Sequence, residues 1–561
     1  MYSEQKIFVG KSGGEKVFIY PRMANRHGLI AGATGTGKTV SLKVLAESFS
    51  DAGVPVFLAD VKGDLAAMCS KGIGNETINN RVESMNLLEE GFEHKSYPVE
   101  YWDVYGEKGL PLRTTITEMG PLLLGRILGL NDTQTDILTV VFRIADDENL
   151  LLIDTKDLRS MLTYIAEKSK DYSVKYGNIS SQSLGVIIRS VMALEAEGGE
   201  MFFGEPALDI KDWLCRDCDG KGTMQILDCQ KLINNPTMYS TFLLWMLSEL
   251  FETLPEVGDI EKPRMVFFFD EAHLLFESAS KSLLTKIEQV VKLIRSKGVG
   301  IFFITQNPKD VPDGVLSQLG VKIQHALHAY TPSEQKAVKA AAMSFRENPE
   351  YNTYDAITQL GIGEALVSVL DEDGIPTIVK KTIMLPPQSQ TGALDDTMRN
   401  SKIKSSLLYI KYYESVDRDS AYEFLERVKQ ADEEDMQRRQ KEKEEAARIK
   451  EEEKEAEAKR KAEEREEAAR KKAEEKEEAA KKRAEEKAEA ARIKAEEKEA
   501  NAKKNAVKKA AKGVASTAAG AVGREVGNAF GKSIGGTFGK KIGGNVGASL
   551  GRGVIGTLFK L

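Results

Sequence analysis

The sequence has few of the residues expected in disulfide-bonded or membrane-spanning proteins. Four cysteines among 561 residues are too few for a disulfide framework. Cys215 and Cys218 have the spacing of metal ligands, but no second pair follows them, so we interpret them as thiols of an ordinary loop. No stretch approaches the roughly 18 uncharged apolar residues of a membrane span, and the start lacks the basic-then-apolar order of a signal peptide. We therefore expect a cytoplasmic protein.

A broad basic face is also missing from most of the chain. Residues 441–561 carry 31 Lys and Arg against 23 Asp and Glu, a net charge of +8, whereas residues 1–440 carry 48 against 63, a net charge of -15. Contact with nucleic-acid phosphates usually leaves a basic footprint. Any such contact is therefore expected only at a local basic surface, such as the lining of a ring.

Short β-branched or aromatic runs alternate with helical patterns between about residues 25 and 390. Such runs, separated by helices, predict an α/β fold with a mainly parallel sheet covered on both faces. Two extended segments around Asp-Gly in 364–385 predict a hairpin at the end of the sheet. A stretch at about 110–215 has helical spacing and few strand signals, so we interpret it as a large helical insertion. The predicted strands are HGLIAG (27–32), PVFLAD (55–60), TMQILDC (223–229), RMVFFFDEA (264–272), GIFFITQ (300–306) and VKIQHALHA (321–329).

Composition changes after the predicted α/β core, residues 1–390. A helical connector is expected over 391–440 and a charged helical stalk over 441–512, where eleven-residue units repeat from 444 to 498. Glu blocks lie three to five positions from Lys and Arg blocks, which favours a helix through i,i+4 pairs. Large aliphatic residues are rare there, so a solvated single helix is the preferred interpretation, and a right-handed coiled coil is the alternative.

The last segment, 513–561, has glycine at every fourth position from Gly523 to Gly551, with an apolar residue before each. This spacing allows helix backbones to approach closely. Charged residues are interspersed, so we predict contact with a partner helix or a peripheral position at the inner face of the membrane rather than a membrane span. A flexible glycine-rich tail is the alternative.

The stretch GATGTGKT fits the phosphate-binding P-loop pattern, with a predicted strand before it and a predicted helix after it. Glycines allow backbone N–H groups to turn toward phosphates, Lys38 neutralises the β and γ oxygens, and the Thr39 hydroxyl ligates Mg²⁺. We therefore expect ATP and Mg²⁺ as ligands. The expected nucleotide contacts are Gly32, Ala33, Thr34, Gly35, Thr36, Gly37, Lys38, Thr39 and Val40.

An acidic pair follows the apolar run RMVFFF, where a Walker B motif is expected. Asp270 is predicted to hold the Mg²⁺ shell, and Glu271 to polarise the attacking water as a general base. The presence of Glu271 favours hydrolysis of ATP over phosphoryl transfer to a small molecule. His273 is interpreted as a residue at the start of a helix.

Other polar residues near predicted strand ends have two interpretations each. Gln306 lies where ligands of open α/β sheets bind and suits a γ-phosphate sensor, or it caps a loop. Asp60 and Lys62 either face the nucleotide or open a turn. Arg295 is predicted as an arginine finger acting on a neighbour's ATP if subunits form a ring, or as a solvated helix-end residue, and Arg346 is a weaker rival.

These motifs together resemble the HerA/FtsK superfamily of ring-forming P-loop motors and, more narrowly, the bacterial HerA-like (YjgR-type) ATPase family. The resemblance covers roughly residues 1–390. It is carried by PRMANRHGLIAGATGTGKT, GVPVFLADVKGDL, ISSQSLGVIIRSV, FFGEPALDIKDW, LLWMLSELFETLPEVGDIEKPRMVFFFDEAHLLF, LIRSKGVGIFFITQNPKDVPDGVLSQLG and QKAVKAAA.

The resemblance implies a RecA-like core, a hexameric ring, ATP with Mg²⁺, and translocation on double-stranded DNA. It also implies the superfamily's roles for Lys38, Thr39, Asp270, Glu271 and Gln306, and it puts Arg295 at the position of the trans-acting arginine. Two other functions stay open from the sequence. One is an ATPase acting on protein or at a membrane and tethered through its tail, and the other is a nucleotide-gated scaffold.

Overall fold

The computed structural model describes residues 1–258, 260–277 and 281–497. The chain forms two units, residues 1–440 and the residues from 441 onward. The predictions made for 513–561 lie outside the described residues, as does the end of the predicted stalk. The domain boundaries given above stay predictions.

One sheet organises the first unit, and most strands of its parallel centre follow the apolar runs predicted from the sequence. Within the described residues it contains thirteen strands: β1 Tyr2–Ser3, β2 Lys6–Ser12, β3 Glu15–Ile19, β4 Gly28–Ala31, β5 Val56–Asp60, β6 Val99–Asp103, β7 Leu110–Pro111, β8 Met224–Asp228, β9 Met265–Phe269, β10 Val299–Thr305, β11 Val321–Gln324, β12 Glu364–Ser368 and β13 Lys380–Met384.

The centre of the sheet is parallel. Its order is β11-β4-β10-β9-β5-β8-β6-β7, and every neighbouring pair in this series runs in the same direction. The carboxyl ends of these strands therefore meet at one edge, where open α/β sheets bind their ligands. The predicted α/β class with a parallel-dominated sheet is confirmed.

An antiparallel flank extends the sheet beyond β11. The predicted hairpin is present as β12 and β13, and β13 then pairs with β2, which also pairs with β1 and β3. Five strands were not predicted from the sequence: β1, β2 and β3 in the antiparallel flank, and β6 and β7 in the parallel centre. The strand predicted over 321–329 is also too long, because the residues from His325 to Ala329 leave the sheet.

Helices cover the sheet and fill the segment between β7 and β8. Within the described residues they are α1 Lys38–Asp51, α2 Glu76–Ser84, α3 Ile116–Ile127, α4 Asp132–Asp147, α5 Thr155–Glu167, α6 Ser169–Tyr176, α7 Ser181–Ala196, α8 Gly199–Phe202, α9 Pro236–Thr253, α10 His273–Phe276, α11 Lys281–Ile294, α12 Asp313–Leu316, α13 Pro332–Met343, α14 Thr353–Gln359, α15 Asp396–Ser405, α16 Tyr409–Tyr412 and α17 Ala421–Glu497.

The main core lies between the sheet and its helices. Helix α9 is apolar on most of its surface, and it contacts α3, α10 and α11. A helix that is apolar all round is expected to be buried, and Trp245 of α9 is about 1% exposed. Aromatic side chains of adjacent strands also stack within the sheet, as Phe268 and Phe302 do with ring centroids 5.1 Å apart.

Helix α17 confirms the predicted long charged helix and is 77 residues long. Beyond residue 441 its side chains form i,i+4 ion pairs, including Lys461–Glu457 at 2.6 Å and Lys471–Glu467 at 3.2 Å. The choice between a single helix and a coiled coil stays a prediction. Across the ranges that the structure describes, none of the helices combines the length and the apolar character needed to cross a membrane.

Candidate functional site

The P-loop lies at the carboxyl edge of the sheet, between β4 and α1. Gly35 and Gly37 have φ angles of +80° and +114°, a region that residues with a side chain rarely adopt, so the turn requires glycine here. The Lys38 ammonium is turned back into the loop and donates to the carbonyl oxygens of Gly32 at 2.6 Å and Ala33 at 3.1 Å. Burial and the nearby charge of Lys62 lower the pKa of Lys38.

The predicted nucleotide contacts lie in the loop after β4 and in the first turn of α1. Thr34 and Gly35 are exposed at the crest of the loop, Lys38 is buried, and Thr39 and Val40 are half-buried in the first turn of α1. The helix amino terminus therefore faces the loop with its backbone N–H groups, which is the arrangement that binds phosphate.

His325 contacts both the helix that follows the P-loop and the start of β12. Its two ring nitrogens lie 2.9 Å from the Ser41 hydroxyl and 2.9 Å from the Glu364 carbonyl oxygen. Burial lowers the pKa of His325 to about 4, so the ring is neutral at physiological pH. A methyl group at Gly32 would lie 2.5 Å from the Cβ of His325, so this position has room only for glycine. His325 could not be identified from the sequence, because its partners come from two distant segments.

A second segment, residues 361–364, contacts the P-loop through a backbone hydrogen bond. The Gly363 N–H donates to the Thr36 carbonyl at 3.0 Å. Arg81 of α2 donates in turn to the carbonyl oxygens of Gly363 at 2.8 Å and Ile362 at 3.0 Å. Arg81 was also missed by the sequence analysis, and it links α2 to the loop beside the phosphate site.

Replacement of Arg81 by methionine is expected to lower the free energy of unfolding by about 1 kcal/mol, because bonds from a charged donor to partly buried and exposed backbone carbonyls are lost. Chemical denaturation measures this difference. Arg189→Met on the exposed face of α7 is the matched control and should leave stability nearly unchanged. Equal stability of the two variants would contradict a structural role for Arg81.

The acidic pair follows β9 at the same edge. Tyr239 donates its hydroxyl proton to the Asp270 carbonyl oxygen at 2.6 Å, and the Glu271 N–H donates to the Asp270 carboxylate at 2.9 Å. Glu271 has a φ of +48°, which is uncommon for a residue with a side chain and indicates local strain. One of its carboxylate oxygens is buried and accepts no hydrogen bond from the described residues. The Nδ1 atom of His273, at the start of α10, lies 3.5 Å from it.

The electrostatics of this pair fit a divalent cation. Burial, and then the neighbouring Glu271 charge, raise the pKa of Asp270 to about 6. A buried carboxylate that is disfavoured in its charged form gains most from a bound cation. The predicted assignment of Asp270 and the Thr39 hydroxyl to Mg²⁺ stays a prediction, and the raised pKa of Asp270 is compatible with it.

Gln306 directly follows β10, next to the P-loop strand. The Thr305 carbonyl accepts a hydrogen bond from the Gly32 N–H at 3.3 Å, and the side chain of Gln306 is exposed at this point. Asp60 opens a turn instead of facing the site, since its carboxylate accepts the N–H groups of Gly63, Asp64 and Leu65. Lys62, carried by that turn, lies close enough to shift the pKa of both Lys38 and Asp270.

Arg295 and Arg346 lie away from this edge. Arg295 directly precedes β10 at its amino end, and the seven residues of that strand span roughly 23 Å. Arg346 lines the same cavity as Arg295. Neither arginine is brought to the P-loop of its own chain.

The two spaced cysteines are free thiols in the structure. Cys215 is half-buried, Cys218 is exposed, and burial raises the pKa of the Cys215 thiol. In the described part of the chain, no group of three or more His, Cys, Asp and Glu side chains is placed to hold a metal. The interpretation of Cys215 and Cys218 as thiols of an ordinary loop stays a prediction.

Comparisons with known proteins give the following similarities. Residues 5–490 match the family described as Helicase HerA-like C-terminal. The DNA double-strand break repair helicase HerA of Sulfurisphaera tokodaii is 23% identical over 399 residues, which cover 68% of this chain and 70% of that protein. The probable helicase MJECL08 of Methanocaldococcus jannaschii is 30% identical over 167 residues, covering 28% and 30%. The structure of VirB4 of Thermoanaerobacter pseudethanolicus has a TM-score of 0.43 at 16% identity, covering 71% of this chain and 99% of that one.

Proposed function

The chain belongs to the Helicase HerA-like C-terminal family and is an ATPase of HerA type, and we propose that it is a ring-forming motor that acts on duplex DNA. The observation that supports hydrolysis is the position of Lys38, Asp270 and Glu271 at one sheet edge, close enough for both carboxylates to act on the charge of Lys38. Phosphate-binding and water-activating groups are thereby close together, as hydrolysis requires.

Different residues of the chain have different roles in hydrolysis. Lys38 and the backbone N–H groups of the P-loop bind the phosphates and orient the γ-phosphoryl group. Glu271 orients the attacking water and accepts its proton, since one of its carboxylate oxygens is buried and accepts no hydrogen bond from the described residues. Gln306 lies beside the P-loop, where it senses the γ-phosphate. Asp270 and Thr39 would hold Mg²⁺, which would supply positive charge against the phosphates.

The remaining group for hydrolysis, an arginine, comes from a neighbouring subunit of the proposed ring. Arg295 lies a full strand length from its own P-loop, so it acts on ATP only in another subunit. A trans-acting arginine stabilises charge that develops on the transferred phosphoryl group. We therefore propose a homo-oligomer, with six subunits by resemblance to the superfamily, in which each subunit completes its neighbour's site.

Duplex DNA is the proposed substrate, and its effect on hydrolysis tests the proposal. The relatives named as helicases support this substrate. Long duplex DNA is expected to stimulate ATP hydrolysis several-fold at about 50 mM salt. Raising the salt to about 200 mM should weaken DNA binding by at least tenfold, because binding releases counterions from the DNA and this release is less favourable at higher salt. Steady-state ATPase assays with and without DNA measure both effects.

Two controls make this assay specific. Glu271→Gln separates hydrolysis by this chain from a contaminating ATPase, and uncharged polymer in place of DNA separates binding from crowding. Turnover that stays unstimulated by DNA at low salt would contradict the DNA motor. Stimulation by lipid vesicles instead would favour the membrane-directed ATPase expected as the alternative.

A further inference from the structure

A cavity of about 330 Å³ lies at the sheet edge opposite the P-loop, where β4, β10 and β11 begin. Five basic side chains line it, and its lining, taken over the described residues, includes no Asp or Glu. We call this cavity the basic pocket. Its basic residues are Arg26, Lys292, Arg295, Lys322 and Arg346.

Three of these side chains are held in place by backbone carbonyl groups. Arg26 donates to Gly374 at 3.4 Å, Lys322 donates to Ser344 at 2.9 Å, and Arg346 donates to Pro376 at 3.3 Å. These contacts fix the position of each cation without neutralising its charge. Positive charge is therefore concentrated in a concave site on a unit whose net charge is negative.

One acidic residue close to the basic pocket in sequence is tied to a different group. The Asp371 carboxylate accepts the backbone N–H groups of Asp373 and Ile375, which ties it to its own turn. His27 also lines the cavity but adds no charge. Its Nδ1 accepts the Ile301 N–H at 3.1 Å, so Nε2 carries the proton donated to the Val291 carbonyl at 2.8 Å.

Among the basic residues of the pocket, Lys322 gives the strongest argument for a bound anion. It is half-buried on β11, and burial lowers its pKa. A desolvated ammonium group without an acidic partner is costly, and an anion that enters the cavity offsets that cost. Arginine forks beside it suit the several oxygens of a phosphate group, which accept paired hydrogen bonds.

We propose that the basic pocket binds a phosphate group, either of a free polyphosphate anion or of a nucleotide held by a second copy of the chain. The first source does not depend on the function proposed above. The second source rests on that function. In that case Arg26, Lys322 and Arg346 would bind the neighbour's phosphates together with Arg295.

The first experiment tests the free anion. The full chain carrying Lys38→Ala, which disables the P-loop, is titrated with inorganic tripolyphosphate at low salt by calorimetry. Binding is expected to persist, and adding Lys322→Met should raise the Kd about tenfold or more, because a bond to a charged group is lost. Lys404→Met on exposed α15 is the matched control and should leave the Kd unchanged.

The second experiment tests the neighbour's nucleotide. Chains with Lys322→Met keep an intact P-loop, whereas chains with Glu271→Gln keep an intact basic pocket. If the pocket acts across subunits, mixing the two should give more ATP hydrolysis than the average of the separate variants. A gain on mixing identifies the second source, and tripolyphosphate binding without such a gain identifies the first.

The proposal is overturned if Lys322→Met leaves tripolyphosphate binding unchanged and mixing gives no gain. Arg346→Ala, at an exposed side chain, repeats both measurements if Lys322→Met fails to fold. An unmodified chain that does not hydrolyse ATP would refute the function proposed above, whereas the tripolyphosphate titration would still report on the basic pocket.

Discussion

Lys38→Ala is expected to raise the Kd for ATP about 100-fold and to reduce hydrolysis to background. The ammonium group is the buried cation of the P-loop and lies within hydrogen-bonding distance of two loop carbonyls. We expect the same group to contact β and γ phosphate oxygens when ATP binds, and a bond between two charged groups is among the strongest in proteins. Equilibrium binding of a fluorescent ATP analogue measures the loss.

The control for this experiment is Lys156→Ala, at an exposed position of α5. It removes the same charge and should bind ATP normally. Circular dichroism and thermal unfolding should show that the Lys38 variant stays folded, since its loop glycines retain their conformation. Normal ATP binding by a folded Lys38→Ala chain would remove the P-loop from the mechanism.

Glu271→Gln is expected to preserve ATP binding and to slow hydrolysis by about 10² to 10⁴-fold. Glutamine has the same size but cannot accept the proton of the attacking water, and general-base catalysis contributes an acceleration of this order. Single-turnover hydrolysis with ATP in deficit over the chain measures the chemical step. The binding assay used for Lys38 verifies that the nucleotide still binds.

Glu277→Gln provides the matched control, because this exposed glutamate follows α10 and lies six positions from Glu271. Its turnover should equal that of the unmodified chain. If the Glu271 variant hydrolyses ATP at the normal rate, another group activates the water and the assignment of the base is wrong.

Much of the sheet could be predicted because its central strands are buried on both faces. Such strands are nearly continuous apolar runs, as in MVFFF of β9, and a glycine-rich turn after one of them marks the P-loop. The residues of the P-loop and the acidic pair were likewise identifiable, because their chemistry demands particular residue types at fixed spacing. Their assignment to catalysis stays a prediction until the variants are measured.

The parts that could not be predicted depend on contacts between distant segments. His325 and Arg81 look unremarkable in the sequence, and they acquire a role only because β11 and α2 are brought against the P-loop. Likewise, the total charge of residues 1–440 gives no sign of the basic pocket. Its five cations come from segments spread between Arg26 and Arg346, and only the fold collects them.

The pairing of β2 with β13 has a consequence for how the chain is made. Lys11 lies beside Ile383, so about 370 residues separate the two neighbours. A ribosome that adds roughly 5–20 residues per second therefore needs on the order of 20–70 s to deliver the second strand after the first. During that interval one edge of β2 lacks its final neighbour, and an unpaired edge attracts other chains. Biogenesis of this ATPase is thus expected to depend on protection of the nascent amino-terminal hairpin.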